Sequence, residues 1–136
     1  METWRFAANT SDFGETAMIE SFDLLLASKD KTQKLDSFAK EFFALVGVAD
    51  FRERESSHYV EGHYFVGAAK GLTFKVMMHS DEDHADLPFW VRVRLDNQEP
   101  FSFDLRSFVC SCIIPAGFKA AELIAIGQVE EQRHDF

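Results

Sequence analysis

Residues 87–96, "LPFWVRVRLD", decide the fold class. Phe89, Val91, Val93 and Leu95 alternate with Trp90, Arg92 and Arg94. That period of two predicts a strand with one apolar side and one cationic, aromatic side. Working back towards the N-terminus, "HYFVGAAKGLTFKVMMH" keeps the same period and predicts a hairpin around Ala69, Lys70 and Gly71. A three-residue loop closed by a left-handed Gly71 avoids positive φ at Lys70, so the expected pairing is Ala68 with Leu72. In that register Tyr64, Val66 and Ala68 join Leu72, Phe74, Val76 and Met78 on the core side. His63, Phe65, Lys75, Met77, Trp90, Arg92 and Arg94 then share the other side, where mixed aromatics and arginines resemble binding hot spots. The plainer alternative is a face covered by a helix, with long basic stems lying over it.

Further out, "DKTQKLDSFAKEFFALVG" predicts a helix with the stripe Leu35, Phe38, Ala39, Phe42, Leu45 and Val46, ended by Gly47. "DFGETAMIESFDLLLASKD" predicts an earlier helix, capped by Asp12 and Glu15, with Met18, Phe22, Leu25 and Leu26 on one stripe. Beyond the "NQEP" break, "FSFDLRSFVCSCII" alternates Phe101, Phe103 and Leu105 against Ser102, Asp104 and Arg106, so one or two more strands are expected. "AGFKAAELIAIGQVEEQR" after Pro115 predicts a closing helix with Phe118, Ala121 and Ala125 along one side, weakened by Gly127. The expectation is a single α+β domain over residues 1–136, with two N-terminal helices, a meandering antiparallel sheet of four to five strands and one C-terminal helix.

Composition supports one ordinary core. The chain has 136 residues, 46% hydrophobic, with 15 phenylalanines. No apolar run reaches the ~18 residues of a membrane span, and "METWRFAANTSDF" lacks the basic and apolar regions of a secretory signal. Cys110 and Cys112, read as neighbours on one strand face, lie too far apart for an easy disulfide. Two buried thiols in a reducing cytoplasm are expected; a Cys-x-Cys metal or redox site would need a second ligand pair. The formal charge of −9 disfavours nucleic acid and anionic membranes, and favours encounter with a basic partner.

The most conspicuous polar stretch is "HSDEDHAD", residues 79–86, between two predicted strands. A solvated loop, a contact surface for a basic partner and a metal site are the three readings. A calcium loop fails, because counting from Asp81 the sixth residue is Asp86 rather than glycine and the twelfth is Arg92 rather than glutamate. Zinc would take His79, His84 and a carboxylate, held by support that a free loop lacks; no metal or cofactor is expected. His58 and His63 fall on opposite strand faces at their odd spacing. G-x-S-x-G, the phosphate-binding loop, the dinucleotide fingerprint and H-E-x-x-H do not occur.

"ESSHYVEGHYFVGAAKGLTFKV" followed by "SDEDHADLPFWVRV" is similar to segments of small acidic bacterial immunity proteins, encoded beside toxins delivered by type VI secretion or contact-dependent inhibition. The similarity lies in Glu55-Ser56-Ser57-x-Tyr59, the aromatic-glycine hairpin, the acidic loop and Leu87-Pro88-Phe89-Trp90. It implies a cytoplasmic, non-enzymatic protein that binds and neutralises a cognate toxin or effector, and it brings no catalytic residues. Asp81, Glu82, Asp83 and Asp86 are the expected electrostatic contacts with a basic cleft, and Trp90 and Arg92 the expected anchors. Two alternatives stand beside this reading. One is a small-molecule-binding domain or enzyme with a pocket at His63, Tyr64, Trp90 and Arg92. The other is an oligomerising domain that pairs through its sheet face.

Overall fold

The computed structural model describes residues 21–96 and 103–136. Its frame is one antiparallel sheet of seven strands, in the order β2-β3-β4-β5-β1-β6-β7. The strands are β1 (Ser21–Ala27), β2 (Phe51–Glu55), β3 (His63–Ala69), β4 (Leu72–Met78), β5 (Phe89–Leu95), β6 (Lys119–Ile124) and β7 (Gln132–Asp135). Helix α1 (Leu35–Val46) and the short helix α2 (Leu105–Phe108), which widens into a π-helical turn (Val109–Ile113), lie on one face. This corrects the expected order of two helices, four to five strands and a closing helix.

α1 forms where its stripe predicts, burying Leu35, Phe38, Ala39 and Phe42, and also Phe43. Gly47 ends it at φ 82°, and the N–H groups of Gly47 and Val48 donate to the carbonyls of Ala44 and Phe43. That double closure needs a left-handed residue, which glycine adopts without a Cβ clash. α1 lays its phenylalanines on the sheet. Phe38 stacks on Phe89 at 4.0 Å between ring centroids and meets Phe118 edge-on.

The segment read as a first helix is β1 over Ser21–Ala27; its expected cap at Asp12 and Glu15, and Met18, lie outside the described residues. Phe22, Leu24 and Leu26 join the helix-side core, whereas Leu25 faces the other way with Leu87, Ala121 and Leu123. A short apolar run covered on both sides has no single stripe, so helix and central strand look alike in sequence. The expected closing helix is the β6–β7 hairpin: β6 pairs with β1 through Leu24↔Glu122 and Leu26↔Ala120. Alanine, leucine, lysine and glutamate favour helix locally, but pairing with β1 overrides that preference.

The segment read as strands is helical from Leu105. Asp104 accepts a hydrogen bond from the Ser107 N–H at 3.2 Å, and Leu105, Val109 and Ile113 recur every fourth residue as a buried line. β-favouring composition hid this helical spacing; Phe101 and Ser102 lie outside the described residues. Cys110 and Cys112 sit on this helix, not on a strand, and both are free thiols. Burial pushes the Cys112 thiol up.

The β3–β4 hairpin forms with its register shifted from the expected one. Ala69 pairs with Leu72, leaving a two-residue turn with Lys70 at φ 56° and Gly71 at φ 79°. This turn matches the twist of the strands. It puts Phe65, Gly67 and Ala69, not Tyr64, Val66 and Ala68, on the core side. A left-handed lysine costs about 1–2 kcal/mol, while burying Phe65 returns about 1.5–3 kcal/mol. Gly67 is required there: a Cβ would lie 2.7 Å from Val48 Cγ1 and 3.0 Å from Phe43 Cε1. The edge strands are charged, "FRERE" in β2 and "QRHD" in β7, which discourages edge-to-edge association. No helix among the described residues is long and apolar enough to cross a membrane.

Candidate functional site

The acidic loop after β4 is built by its own short-range hydrogen bonds. His79 Nε2 donates to the Leu87 carbonyl at 2.6 Å, and its Nδ1 accepts the Asp81 N–H at 3.1 Å. The Asp81 carboxylate accepts the Asp83 N–H at 3.0 Å, which starts a single 3-10 turn over Glu82–His84. Both nitrogens of His79 are thus committed to the backbone, and His79 and His84 turn to different partners.

Two contacts with the C-terminal hairpin fix the loop to the sheet. His84 is buried, and its Nε2 lies 2.9 Å from Glu131 Oε2. Glu131 also accepts the Gly127 N–H at 2.9 Å, which ties it to the β6–β7 turn. Arg133 grips Asp86 through its two terminal guanidinium nitrogens, Nη1 at 3.0 Å and Nη2 at 2.8 Å, and donates from Nε to Asp135. The guanidinium holds the Asp86 carboxyl below its ordinary range, and the two carboxylates raise Arg133 further. Leu87 anchors the end of the loop among Leu25, Ala121 and Leu123.

Asp81, His84 and Glu131 bring ligand-type atoms within 4.8 Å of one another. The hydrogen bonds favour a clamp over a cation site. Arg133 Nη1 lies 3.5 Å from His84 Nδ1. A guanidinium only donates, so this contact favours the tautomer with the imidazole proton on Nε2, facing Glu131. A metal on Nε2 would drive that proton onto Nδ1, against the Arg133 N–H.

Of the expected contact acids, Asp86 is consumed by Arg133 and Asp81 caps the turn. Glu82 and Asp83 are exposed at its crest, and their side chains have no ion-pair partner among the described residues. The expected anchors lie on the sheet face opposite the helices. Asp23 Oδ1 accepts from Trp90 Nε1 and Arg92 Nε, each at 2.8 Å, and the Arg92 guanidinium sits 5.4 Å from the Trp90 ring. Both side chains are therefore oriented before any partner arrives.

The pocket expected at His63, Tyr64, Trp90 and Arg92 is divided between the two faces. Tyr64, Trp90 and Arg92 share the face away from the helices. His63 lies on the helix side, bonded to Glu53 and 3.5 Å from Asp36 of α1. His58 sits in the turn before β3, where its backbone N–H donates to Ser56 Oγ at 3.2 Å. A pocket lined by Ser28–Asp30, Gln33, Glu41 and Ala116–Phe118 holds about 160 Å³, below the roughly 300 Å³ at which small-molecule sites begin.

The loop is visible in the sequence, but its supports are not. Glu131 and Arg133 lie in "EEQR", read as helix, and only the β6–β7 hairpin carries them to the loop. Asp23 is hidden in the same way, in a segment whose pattern predicts helix but which forms β1. Compared with models of known families, with curated proteins and with solved structures, the chain has no significant match.

Proposed function

We propose that this chain works by binding, as an immunity-type inhibitor that neutralises a protein partner with a basic cleft, and performs no chemical step of its own. The observation that carries the reading is the construction of the acidic loop. His79, His84 and Asp86 hold its backbone, while Glu82 and Asp83 project from a fixed turn. A preformed contact avoids the entropy cost of ordering a loop on binding. Exposed carboxylates on a −9 chain also accelerate encounter with a basic surface. Trp90 and Arg92, braced by Asp23, supply a second contact at the side of the loop.

The test is to look for a large secreted effector gene beside the one encoding this chain and to co-express the two. The wild-type chain should restore growth and co-purify with the effector. Glu82→Gln with Asp83→Asn should slow association and flatten its salt dependence, leaving the melting temperature unchanged. Absence of such an effector gene, or full-speed association by the double variant, would sink the reading.

A further inference from the structure

Strand alternation sorts charge as well as apolar groups. In β2, Glu53 and Glu55 pair with Phe65 and His63 on the helix side, while Arg52 and Arg54 pair with Val66 and Tyr64 on the other. Lys75 from β4 and Arg92 and Arg94 from β5 share that second face. Register adds Lys119, opposite Ala27, and Arg133, opposite Leu123. The strands contribute only Asp23 and Asp135 against them, with Asp96 at the rim beside Arg94. A strongly acidic chain thus carries one basic sheet face.

The two halves of this face differ. Towards β7, Arg92 is bound to Asp23, and Arg133 to Asp86 and Asp135. Leu87 and Ile126 cover the apolar residues there. Towards β2, Arg52 and Arg54 are exposed and have no ion-pair partner among the described residues. Arg52, Val66, Lys75 and Arg92 form one rung across four adjacent strands. In the next, Arg54 opposes Tyr64 and Met77 opposes Trp90, with Met77 itself fully buried. At about 4.8 Å per strand, each rung spans about 14 Å, the length of a few extended residues. One rung is cationic, and its neighbour presents Arg54 beside the rings of Tyr64 and Trp90.

We infer that this β2–β3–β4 half of the sheet face is a second docking surface, and that its occupant is a carboxylate-rich segment of a protein partner. The ring geometry selects protein over nucleic acid. Base binding needs free aromatic faces, but Lys75 Nζ sits 4.6 Å from the Tyr64 centroid and 5.0 Å from that of Tyr59, and Arg92 lies over Trp90. Tyr59 also meets Tyr64 and Trp90 in T-shaped contacts. Each ring already meets a cation, which leaves it a poorer stacking platform than a bare aromatic. A long polyanion would also run off the face onto acidic surface. Screening over about 8 Å at physiological salt lets a short acidic segment feel the arginines alone. A symmetric second copy would set arginine against arginine.

The experiment is fluorescence anisotropy of a labelled oligoglutamate peptide titrated with the full chain at low and high salt. Oligothymidylate of equal charge runs in parallel, and sedimentation reports the oligomeric state. The peptide should bind at low salt and be released at high salt. Arg52→Glu with Arg54→Glu should weaken it about tenfold. Arg52→Gln with Arg54→Gln should weaken it about threefold, which guards against misfolding of the reversed variant. Lys34→Glu with Lys40→Glu, the same charge change on exposed positions at the start of α1 and within it, should leave binding intact. Equal loss in both reversed variants would mean overall charge, not this face, governs binding. Tighter binding of the oligonucleotide, or self-association abolished by the Arg52 and Arg54 changes, would each overturn the assignment of the occupant.

Discussion

The two faces of the sheet use the same strands for opposite purposes. On the helix side, Phe65, Phe74, Phe89, Val91 and Val93 are buried against α1 and α2. On the other side, the residues between them are Lys75, Trp90, Arg92 and Arg94. The first face carries most of the core; the second carries a smaller buried cluster and, on the reading proposed above, the contacts with a partner. The acidic loop crosses between these roles, since Leu87 is buried in the second face while Glu82 and Asp83 project from it. Changes on the two faces should therefore separate stability from binding.

The sharpest break comes at Phe38. It is fully buried, stacks on Phe89 and touches Phe42 and Phe118. Phe38→Ala should cost about 3–5 kcal/mol in chemical denaturation, through lost transfer energy and the cavity left behind. A cost under about 1 kcal/mol would mean α1 does not seat as described. Gly67→Ala comes next. The added methyl would meet Val48, Phe43 and Phe51, within 3.0 Å of atoms of each, and overpacking of this kind costs about 1–3 kcal/mol. Ala68→Gly, a neighbour on the other face, should cost less.

This division of the faces explains what could be read from sequence. β5 and α1 were legible because each buries one side only, so its apolar period is clean: 2 in Phe89, Val91 and Val93, and about 3.6 in Leu35, Phe38 and Phe42. β1 was not, because Leu24, Leu25 and Leu26 are buried on two sides and leave no period. β3 was read one residue out of register because Gly67 and Ala69 carry little apolar signal, leaving Tyr64 and Val66 to look like core. β6 was hidden by residues that favour helix, and α2 by residues that favour strand. The loop at residues 79–86 was visible as a cluster of charge, but its clamps depend on β7, some 50 residues on, which the helix reading removed.

The clamp is the middle case between the faces. His84→Ala should cost about 1–3 kcal/mol, because Glu131 loses its buried partner. The Asp86–Arg133 pair is worth at most about 1 kcal/mol at this exposure. Because Arg133 lowers the Asp86 pKa, that contribution is present above the ordinary value of 3.8 and is lost as pH falls through the folded value. Asp86→Asn should make stability flatter with pH in that acid range, and an unchanged profile would remove the pair from the account. Glu122 on β6 runs the other way. Burial raises its pKa above 4.5, so the folded state prefers it neutral. Its contribution is fullest at low pH and falls away as pH rises through the folded value. Glu122→Gln should therefore stabilise the chain near neutral pH and change little in acid. Equal effects at both pH values would argue against burial as the cause.

The smallest effect on stability is expected where the effect on binding is largest. Arg52 and Arg54 are exposed, sit on an edge strand and have no ion-pair partner among the described residues. Replacing both by Gln should move the unfolding free energy by no more than about 0.5 kcal/mol. The sign should even favour the variant, since the two like charges lie about 7 Å apart along one strand face. Raising the salt should reduce that gain, because screening already weakens the repulsion in the parent chain. A loss of more than about 1 kcal/mol would mean the arginines hold the fold together. The cationic rung would then be a structural brace like the Asp23–Arg92 pair, and the two faces would no longer divide stability from binding.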